Sequence, residues 1–174
     1  MTREIKTRIP SGVTITREGD LVVVKGPRGE LRRTMRYPQV TIAINPQEVV
    51  IATGSARKRI AAMVGTYGAH LANMIRGVTD GFTYSLKVVY SHFPIQLKFQ
   101  GEVLEINNFL GEKKARYARV EPGIKVTISG DQVTLTGIDR ERLGISAANI
   151  ETATRIRDRD PRVFQDGIYI TQRG

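Results

Sequence analysis

The segment KGPRGE, Lys25 to Glu30, places a lysine, two glycines and an arginine within six residues. Phosphate-binding loops of NTPases use such residues, because glycine lets backbone N–H groups approach a phosphate and lysine adds charge. Those loops also require Gly-Lys-Ser or Gly-Lys-Thr followed directly by a helix, whereas the residues after Glu30 continue as a strand. The G-x-x-G spacing is shared with KH domains, where the loop joins two helices. We therefore favour a β-hairpin turn from whose tip Lys25 and Arg28 can still touch a phosphate.

The two histidines are the next candidates for chemistry. His70 lies at the flank of a helical pattern, and His92 follows the strand-like run LKVVYS. Neither has a cysteine, a histidine or a carboxylate neighbour at metal-ligand spacing. The sequence also lacks a nucleophile elbow, an H-E-x-x-H motif and a dinucleotide fingerprint. We predict no catalytic residue, no metal, no cofactor and no small-molecule substrate, and hence a protein that is not an enzyme.

Two aspartates near the C-terminus, Asp158 and Asp160, have the residue type that binds Mg²⁺. They alternate with Arg157 and Arg159 in RDRDP. This alternation favours a solvated, self-paired segment that Pro161 ends.

The composition points to a polyanionic partner. Lysine and arginine number 27 against 17 acidic residues, which gives a formal charge of +10 and a pI near 10.2. RNA, DNA and an anionic membrane all attract such a chain. No helical pattern pairs a basic face with exposed large apolar residues, so we expect no membrane binding. Without a signal-like N-terminus or a spanning apolar run, we expect a soluble protein. The absence of cysteine is compatible with a cytoplasmic location.

The basic residues form clusters inside segments that are predicted to fold: Arg32, Arg33 and Arg36; Arg57, Lys58 and Arg59; Lys113, Lys114, Arg116 and Arg119; Arg155, Arg157, Arg159 and Arg162. The second cluster falls in the first turn of a predicted helix, where each cation costs about 0.3–1 kcal/mol at low salt. A docked anion would turn that cost into attraction, and solvent screening would also make it tolerable. Six Tyr and five Phe form no exposed stacking ladder, which favours a folded RNA recognised by its backbone shape.

An internal repeat defines the elements that position these residues. Residues 13–32 align with 95–114 at a constant offset, so that Val24 falls on Ile106, Gly19 on Gly101 and Gly29 on Gly111. The match continues from 40–53 to 124–137, each a strand, a turn and a second strand. The copies share the glycine of KGPRGE and, we expect, its turn geometry.

Each copy then enters a helical pattern. In the first copy Ile60, Met63, Val64, Tyr67, Leu71, Met74 and Ile75 mark one buried face. In the second, Leu143, Ala147, Ile150 and Ile156 do so, with Asp139 as the N-cap. We predict an α+β fold of two tandem duplicated domains, each an antiparallel β-sheet with one main α-helix packed on one face. The domains span residues 1–82 and 83–174, the second with a C-terminal tail, and GVTDGFT (77–83) marks their join.

Three segments of the second copy resemble the large-subunit ribosomal protein L-six family in its archaeal and eukaryotic form: Gly-Ile-Asp (137–139), Ala-Ala-Asn-Ile-Glu (147–151) and the tail from 160 to 169. VVVKGPRGEL and the duplicated layout are similar to that family too. The resemblance covers essentially the whole chain. It implies a structural constituent of the large ribosomal subunit that binds rRNA near the sarcin–ricin loop, close to where GTPase translation factors dock, with other ribosomal proteins as neighbours.

Carried onto this sequence, the resemblance implies rRNA contacts by Lys113, Lys114, Arg116, Arg119, Arg155, Arg157, Arg159 and Arg162. Secondary contacts are expected from Lys25, Arg28, Arg57, Lys58 and Arg59. Where bacterial forms have lysines around the tail glycine, this chain has Gln165 and Asp166, so we read Asp166-Gly167 as a turn that aligns Ile168 and Ile170 with the sheet. A free regulatory RNA-binding protein, or a nucleotide-dependent enzyme that uses residues 25–29, stays open as an alternative.

Overall fold

The structure, a computed structural model, describes residues 3–160 and 162–174. It divides into two compact units, Met1–Gly81 and Phe82–Gly174. The first contains β1 (Arg3–Arg8), β2 (Thr14–Glu18), β3 (Leu21–Gly26), β4 (Gly29–Thr34), β5 (Thr41–Ile44), β6 (Glu48–Thr53) and α1 (Lys58–Thr79). The second contains β7 (Phe82–Val89), β8 (Gln96–Gln100), β9 (Val103–Asn107), a 3₁₀ turn (Phe109–Gly111), β10 (Arg116–Arg119), β11 (Lys125–Ser129), β12 (Gln132–Gly137), α2 (Arg140–Ala153) and β13 (Gly167–Arg173).

The two units repeat one strand plan. In the first, antiparallel sheets have the orders β1-β6-β5 and β2-β3-β4; in the second, the orders are β13-β7-β12-β11 and β8-β9-β10. The α+β class and the tandem duplication are therefore confirmed. The strands of each unit are divided between two sheets rather than joined in one, and β13 is an addition of the second copy.

Helix α1 covers the core of the first unit with the face that the sequence predicts. Its buried side chains include Ile60, Val64, Tyr67, Leu71, Met74 and Ile75, while Met63 is half-buried. All of these except Ile60 pack in one core cluster with Val22, Val24 and Ile51 of the strands. Each such burial contributes roughly 1.5–3 kcal/mol relative to exposure. The helix ends where the N–H groups of Asp80 and Gly81 both donate to the Arg76 carbonyl, with Gly81 at φ +76°.

Helix α2 is shorter than its predicted pattern. Asp139 caps it as expected, because its Oδ1 accepts from the N–H groups of Glu141 at 2.9 Å and Arg142 at 3.3 Å. Leu143, Ala147 and Ile150 are buried, but the helix ends at Ala153, so Ile156 packs on the core from the following segment.

The segment KGPRGE is a hairpin, as predicted. Gly26 and Gly29 pair across β3 and β4, which leaves Pro27 and Arg28 as a two-residue turn. An added Cβ on Gly26 would lie 2.6 Å from Val78 Cγ2 and 2.8 Å from the Val78 carbonyl oxygen. The glycine is thus required where the hairpin meets the end of α1, and no helix follows the loop.

The second copy does not share this turn, contrary to our expectation. There the chain passes through left-handed conformations at Asn108, Leu110 and Gly111 and forms a 3₁₀ turn. The cause is Phe109, which is fully buried in the core and pulls the connection inward. Within the segment 77–83, residues 77–79 belong to α1, residues 82–83 belong to β7, and the two units divide between Gly81 and Phe82.

No helix in the described part of the chain is long and apolar enough to cross a membrane. Pro161, which the sequence places at the end of the RDRD segment, lies outside the described residues.

Candidate nucleic-acid interface

The C-terminal end of α2 meets the loop and strand around β10, and Arg116 makes the junction. Its Nη1 donates to the carbonyl oxygens of Ala153 at 3.0 Å and Arg155 at 2.9 Å. The basic segment 113–119 therefore lies beside Arg155, the first residue of the other basic cluster that the sequence singles out near the C-terminus.

The guanidinium of Arg116 donates its hydrogen bonds to groups within the protein. Its Nε and Nη2 donate to the two carboxylate oxygens of Glu112 at 2.9 and 2.6 Å, and its Cζ lies 4.2 Å from the centroid of the Phe109 ring. Hydrogen bonding from Arg116 lowers the pKa of Glu112, and the charges of Arg116 and Arg159 add to that effect. This geometry gives Arg116 a positioning role, because a paired and half-buried guanidinium has few donors left for a phosphate.

Arg119 and Arg157 are two exposed cations of the same region. They line an open cavity of about 650 Å³ together with Tyr117, Asn149 and Thr152. Asn149 Nδ2 donates to the Arg119 carbonyl at 3.0 Å, which fixes β10 against α2. In the described part of the chain neither guanidinium forms an ion pair, so both charges are open to an anion.

The remaining arginines of the tail differ from one another. Arg159 Cζ lies 4.8 Å from the Phe164 ring centroid. Arg162 pairs with Asp160, Nη2 to Oδ2 at 2.8 Å, and this hydrogen bond lowers the pKa of Asp160 and raises that of Arg162. Because the pair is exposed, it stabilises the fold little, yet it compensates the charge of Arg162 locally. The side chain of Arg155 is exposed, and its backbone carbonyl accepts a hydrogen bond from Arg116 Nη1.

Lys113 and Lys114 lie exposed in the loop between the 3₁₀ turn and β10. They directly follow Glu112, so they sit at the same junction as Arg116. Asp166 and Gly167 do not form the turn that the sequence predicts, because Gly167 is already the first residue of β13. The predicted alignment of Ile168 and Ile170 with the sheet is confirmed: they pair with Val88 and Leu86 of β7, Ile168 with no exposed surface and Ile170 half-buried. Asp166 itself is buried, and its Oδ2 accepts from the Ser91 N–H at 3.4 Å.

The secondary candidates of the first unit fall into two groups. Lys25 Nζ lies 3.0 Å from Glu30 Oε2, and the Arg28 side chain covers Gly81. Arg57, Lys58 and Arg59 are exposed at the start of α1, where Arg57 is the N-cap and caps no N–H with its side chain. Their predicted place in the first helical turn is confirmed, whereas their contact with RNA stays a prediction.

Tyr117 is the residue that the sequence reasoning missed. Strand alternation in RYAR was the available signal, because it turns Ala118 inward and places Tyr117 on the outer face beside Arg119. The side chain is 65% exposed. Among the described residues no group of three or more His, Asp or Glu side chains is arranged to hold a metal ion.

The fold and the cation cluster define a class of small basic proteins built from two copies of one α+β unit. A family model described as Ribosomal protein L6 matches residues 9–81 and 93–167. The chain belongs to this family, so the resemblance inferred from the sequence is confirmed.

Curated relatives extend the match over nearly the whole chain. "Large ribosomal subunit protein uL6" of Methanospirillum hungatei JF-1 is 58% identical over 173 residues, covering 99% of this chain and 98% of the relative. Proteins of the same name from Methanocella arvoryzae and Methanobrevibacter smithii are each 50% identical, over 172 and 162 residues. These cover 98% and 93% of this chain and 96% and 91% of the relatives. All three relatives are archaeal.

Proposed function

We propose that this protein is a structural constituent of the large ribosomal subunit and binds large-subunit rRNA through its second unit. The family and the printed names of its relatives support the ribosomal role. The observation that supports the RNA-binding surface is the junction at Arg116, which holds the 113–119 segment against Arg155 at the end of α2, so that Arg119 and Arg157 line one cavity. The protein performs no chemistry of its own; it works in the cytoplasm as part of the ribosome.

The binding surface consists of exposed cations on a fixed frame. Lys113, Lys114, Arg119, Arg155 and Arg157 supply the charges, while Arg116 holds the loop, β10 and the end of α2 together. Arg159 and Arg162 contribute less, because one lies on Phe164 and the other is paired with Asp160. Such a frame suits prefolded RNA, since phosphates at fixed spacing are matched without ordering long side chains from many conformations.

The location within the subunit follows the family resemblance. We propose contact near the sarcin–ricin loop, with neighbouring ribosomal proteins around the chain and GTPase translation factors docking close by. In this position the protein contributes to subunit assembly and to translation.

The nucleotide-dependent alternative loses its physical basis at residues 25–29. The loop is a two-residue hairpin turn, and Lys25 is paired with Glu30. A phosphate cradle would need free N–H groups at the start of a helix. Here the Arg28 N–H donates to the Val78 carbonyl at 3.0 Å.

Two charge reversals of equal size test the proposed surface. Arg119→Glu with Arg157→Glu alters the second unit, and Lys58→Glu with Arg59→Glu alters the first by the same charge. The second pair favours folding, since acidic residues stabilise a helix N-terminus. We expect the Arg119/Arg157 variant to lose incorporation into large subunits, and the Lys58/Arg59 variant to incorporate with a smaller deficit. Equal incorporation of both variants would place the RNA-binding face elsewhere.

Salt dependence provides a second measurement. If about six phosphates are contacted, affinity for large-subunit rRNA falls roughly a thousandfold between 50 and 200 mM salt. The proposal is contradicted if the affinity does not change with salt concentration. It is also contradicted if the protein is recovered solely in ribosome-free fractions.

A further inference from the structure

The most exposed aromatic side chain among those the structure describes is Tyr117, at 65%, against 46% for Tyr90 and for Phe93. It lies on β10, between Arg116, whose side chain is paired, and Ala118, which is buried. An aromatic ring held in water on a strand contributes nothing to the core. Its position leaves the ring accessible to a partner outside the described chain.

The sheet face around Tyr117 carries mostly polar side chains. The register of β8, β9 and β10 places Lys98, Glu105 and Tyr117 in one row and Gln100, Val103 and Arg119 in the next. Glu105 is the carboxylate nearest to Tyr117 in this register, and Lys98 lies opposite Glu105 on β8. Val103 is the one large apolar neighbour on these two rows, at 39% exposure.

Part of the backbone edge of β10 is covered by α2. Helix α2 covers it through Asn149, which donates to the Arg119 carbonyl, and Arg116 donates to the carbonyl of Ala153. A strand added along this edge would meet α2 at Arg119, whose carbonyl is already bound. A protein hot spot would also need an apolar surround that excludes water, and this face lacks one.

The cavity beside Tyr117 is electropositive and of nucleotide size. Its volume of about 650 Å³ lies within the range of about 300–1,000 Å³ for small-ligand sites. No carboxylate is among the described residues that line it, and the charge of Arg116 is already compensated by Glu112. The charges of Arg119 and Arg157 are not compensated by an ion pair within the described residues, and Asn149 and Thr152 add polar groups to the lining.

We propose that Tyr117 stacks on one unpaired RNA base, while Arg119 and Arg157 hold the phosphates that flank it. Base faces inside a duplex are covered by their neighbours, so the nucleotide must come from a loop, a bulge or an end. The inference rests on the proposed rRNA binding and deepens it. Besides recognising the shape and charge of the RNA, the second unit binds one extruded base by stacking on the face of that base.

The test measures binding of the full chain to a transcript of the large-subunit rRNA. Tyr117→Thr removes the ring but keeps strand propensity, and we expect affinity to fall about five- to 150-fold, the loss that follows from removing one stacked base. Tyr117→Phe keeps the ring and should bind like the wild type. Tyr90→Thr removes an exposed tyrosine of the same unit that does not line the cavity, and should also bind like the wild type.

The salt slope separates stacking from charge. Tyr117→Thr should leave the slope of log affinity against log salt unchanged, whereas Arg157→Gln should reduce it by about 1. Ultraviolet crosslinking of the wild-type complex should attach one nucleotide to the peptide that contains Tyr117.

Two failures are distinguishable. A wild-type chain that does not bind the transcript overturns the proposed function and the stacking site together. A wild-type chain that binds, with Tyr117→Thr equal to it, overturns the stacking site alone. Normal RNA affinity of Tyr117→Thr combined with poor incorporation into subunits would assign the ring to a protein neighbour and likewise overturn the inference.

Discussion

The guanidinium of Arg116 lies over the ring of Phe109, with its Cζ 4.2 Å from the ring centroid, while Glu112 binds its edge. One side chain thereby joins the 3₁₀ turn, β10 and, through two backbone carbonyls, the end of α2. The sequence placed Arg116 among the RNA-binding cations. Its geometry makes it the residue that holds the other cations in position.

Replacing Arg116 is therefore expected to lower stability. Arg116→Lys keeps the charge but cannot bind Glu112 through two parallel hydrogen bonds or reach both carbonyls. We expect the free energy of unfolding to fall by about 2–3 kcal/mol, in line with losing hydrogen bonds to a charged group. Urea denaturation followed by circular dichroism measures the change.

Arg119→Gln is the matched control, since it alters an exposed cation of the same strand. Its effect on the free energy of unfolding should stay within about 0.5 kcal/mol. Equal losses for the two variants would show that the Arg116 contacts contribute nothing specific.

The pairing with Arg116 also gives the protein a predicted acid response. Hydrogen bonding from Arg116 lowers the pKa of Glu112 below its ordinary value of 4.5. A carboxyl whose folded pKa is depressed stabilises the fold above the unfolded pKa, and that stability is lost as the pH falls through the folded pKa. Stability of the wild type should therefore decline more steeply below pH 4.5 than that of Glu112→Gln.

The expected difference is modest, because Glu112 is part exposed and solvent screens the pair. Asp160→Asn serves as the comparison: the pKa of Asp160 is also lowered, but its partner Arg162 is almost fully exposed. Denaturation midpoints at pH 7, 5, 4 and 3 provide the measurement. If the denaturation midpoints of the wild type and Glu112→Gln change in parallel with pH, Glu112 does not contribute to the acid response.

Thr154 connects the end of α2 to β13. Its Oγ1 accepts from the Ile168 N–H at 3.0 Å and donates to the Glu151 carbonyl at 3.2 Å, and the residue is buried. Thr154→Val keeps the shape but leaves the Ile168 N–H without its acceptor. We expect a loss of about 1–3 kcal/mol in the free energy of unfolding.

Thr152→Val, at an exposed position two residues earlier, controls for helix propensity, which is nearly the same for the two residue types. Hydrogen exchange adds a local measurement: the Ile168 amide should lose protection in Thr154→Val. Retained protection together with unchanged stability would contradict the role given to this hydroxyl.

The duplication was predictable because core positions leave a strict pattern. Val24 and Ile106, aligned by the repeat, are both fully buried, and Gly19 and Gly101 share a φ near +60°. The turn at NNFLGE was not predictable from its glycine, because the path is set by Phe109, whose burial depends on residues elsewhere in the core.

In the candidate site, too, local features were predictable from the sequence, whereas features that depend on distant contacts were not. Sequence alone located the cationic segments, since clusters are local. It could not assign Arg116 its internal role, because that role depends on carbonyls 37 and 39 residues away. Nor could it separate Arg157, which forms no ion pair in the described part of the chain, from Arg162, which is bound by Asp160.

The hairpin at Gly26 offers a prediction that separates packing from phosphate binding. In Gly26→Ala the new Cβ would overlap Val78, whose side chain is fully buried and whose carbonyl accepts the Arg28 N–H, so neither can move freely. We expect a loss of about 1–3 kcal/mol in the free energy of unfolding. Gly54→Ala, where a Cβ meets nothing within 4 Å, should be neutral or mildly stabilising. Well below the melting temperature, Gly26→Ala should still bind large-subunit rRNA with wild-type affinity, because the glycine makes room for Val78. A phosphate loop would give the reverse: little change in stability and a large loss of binding.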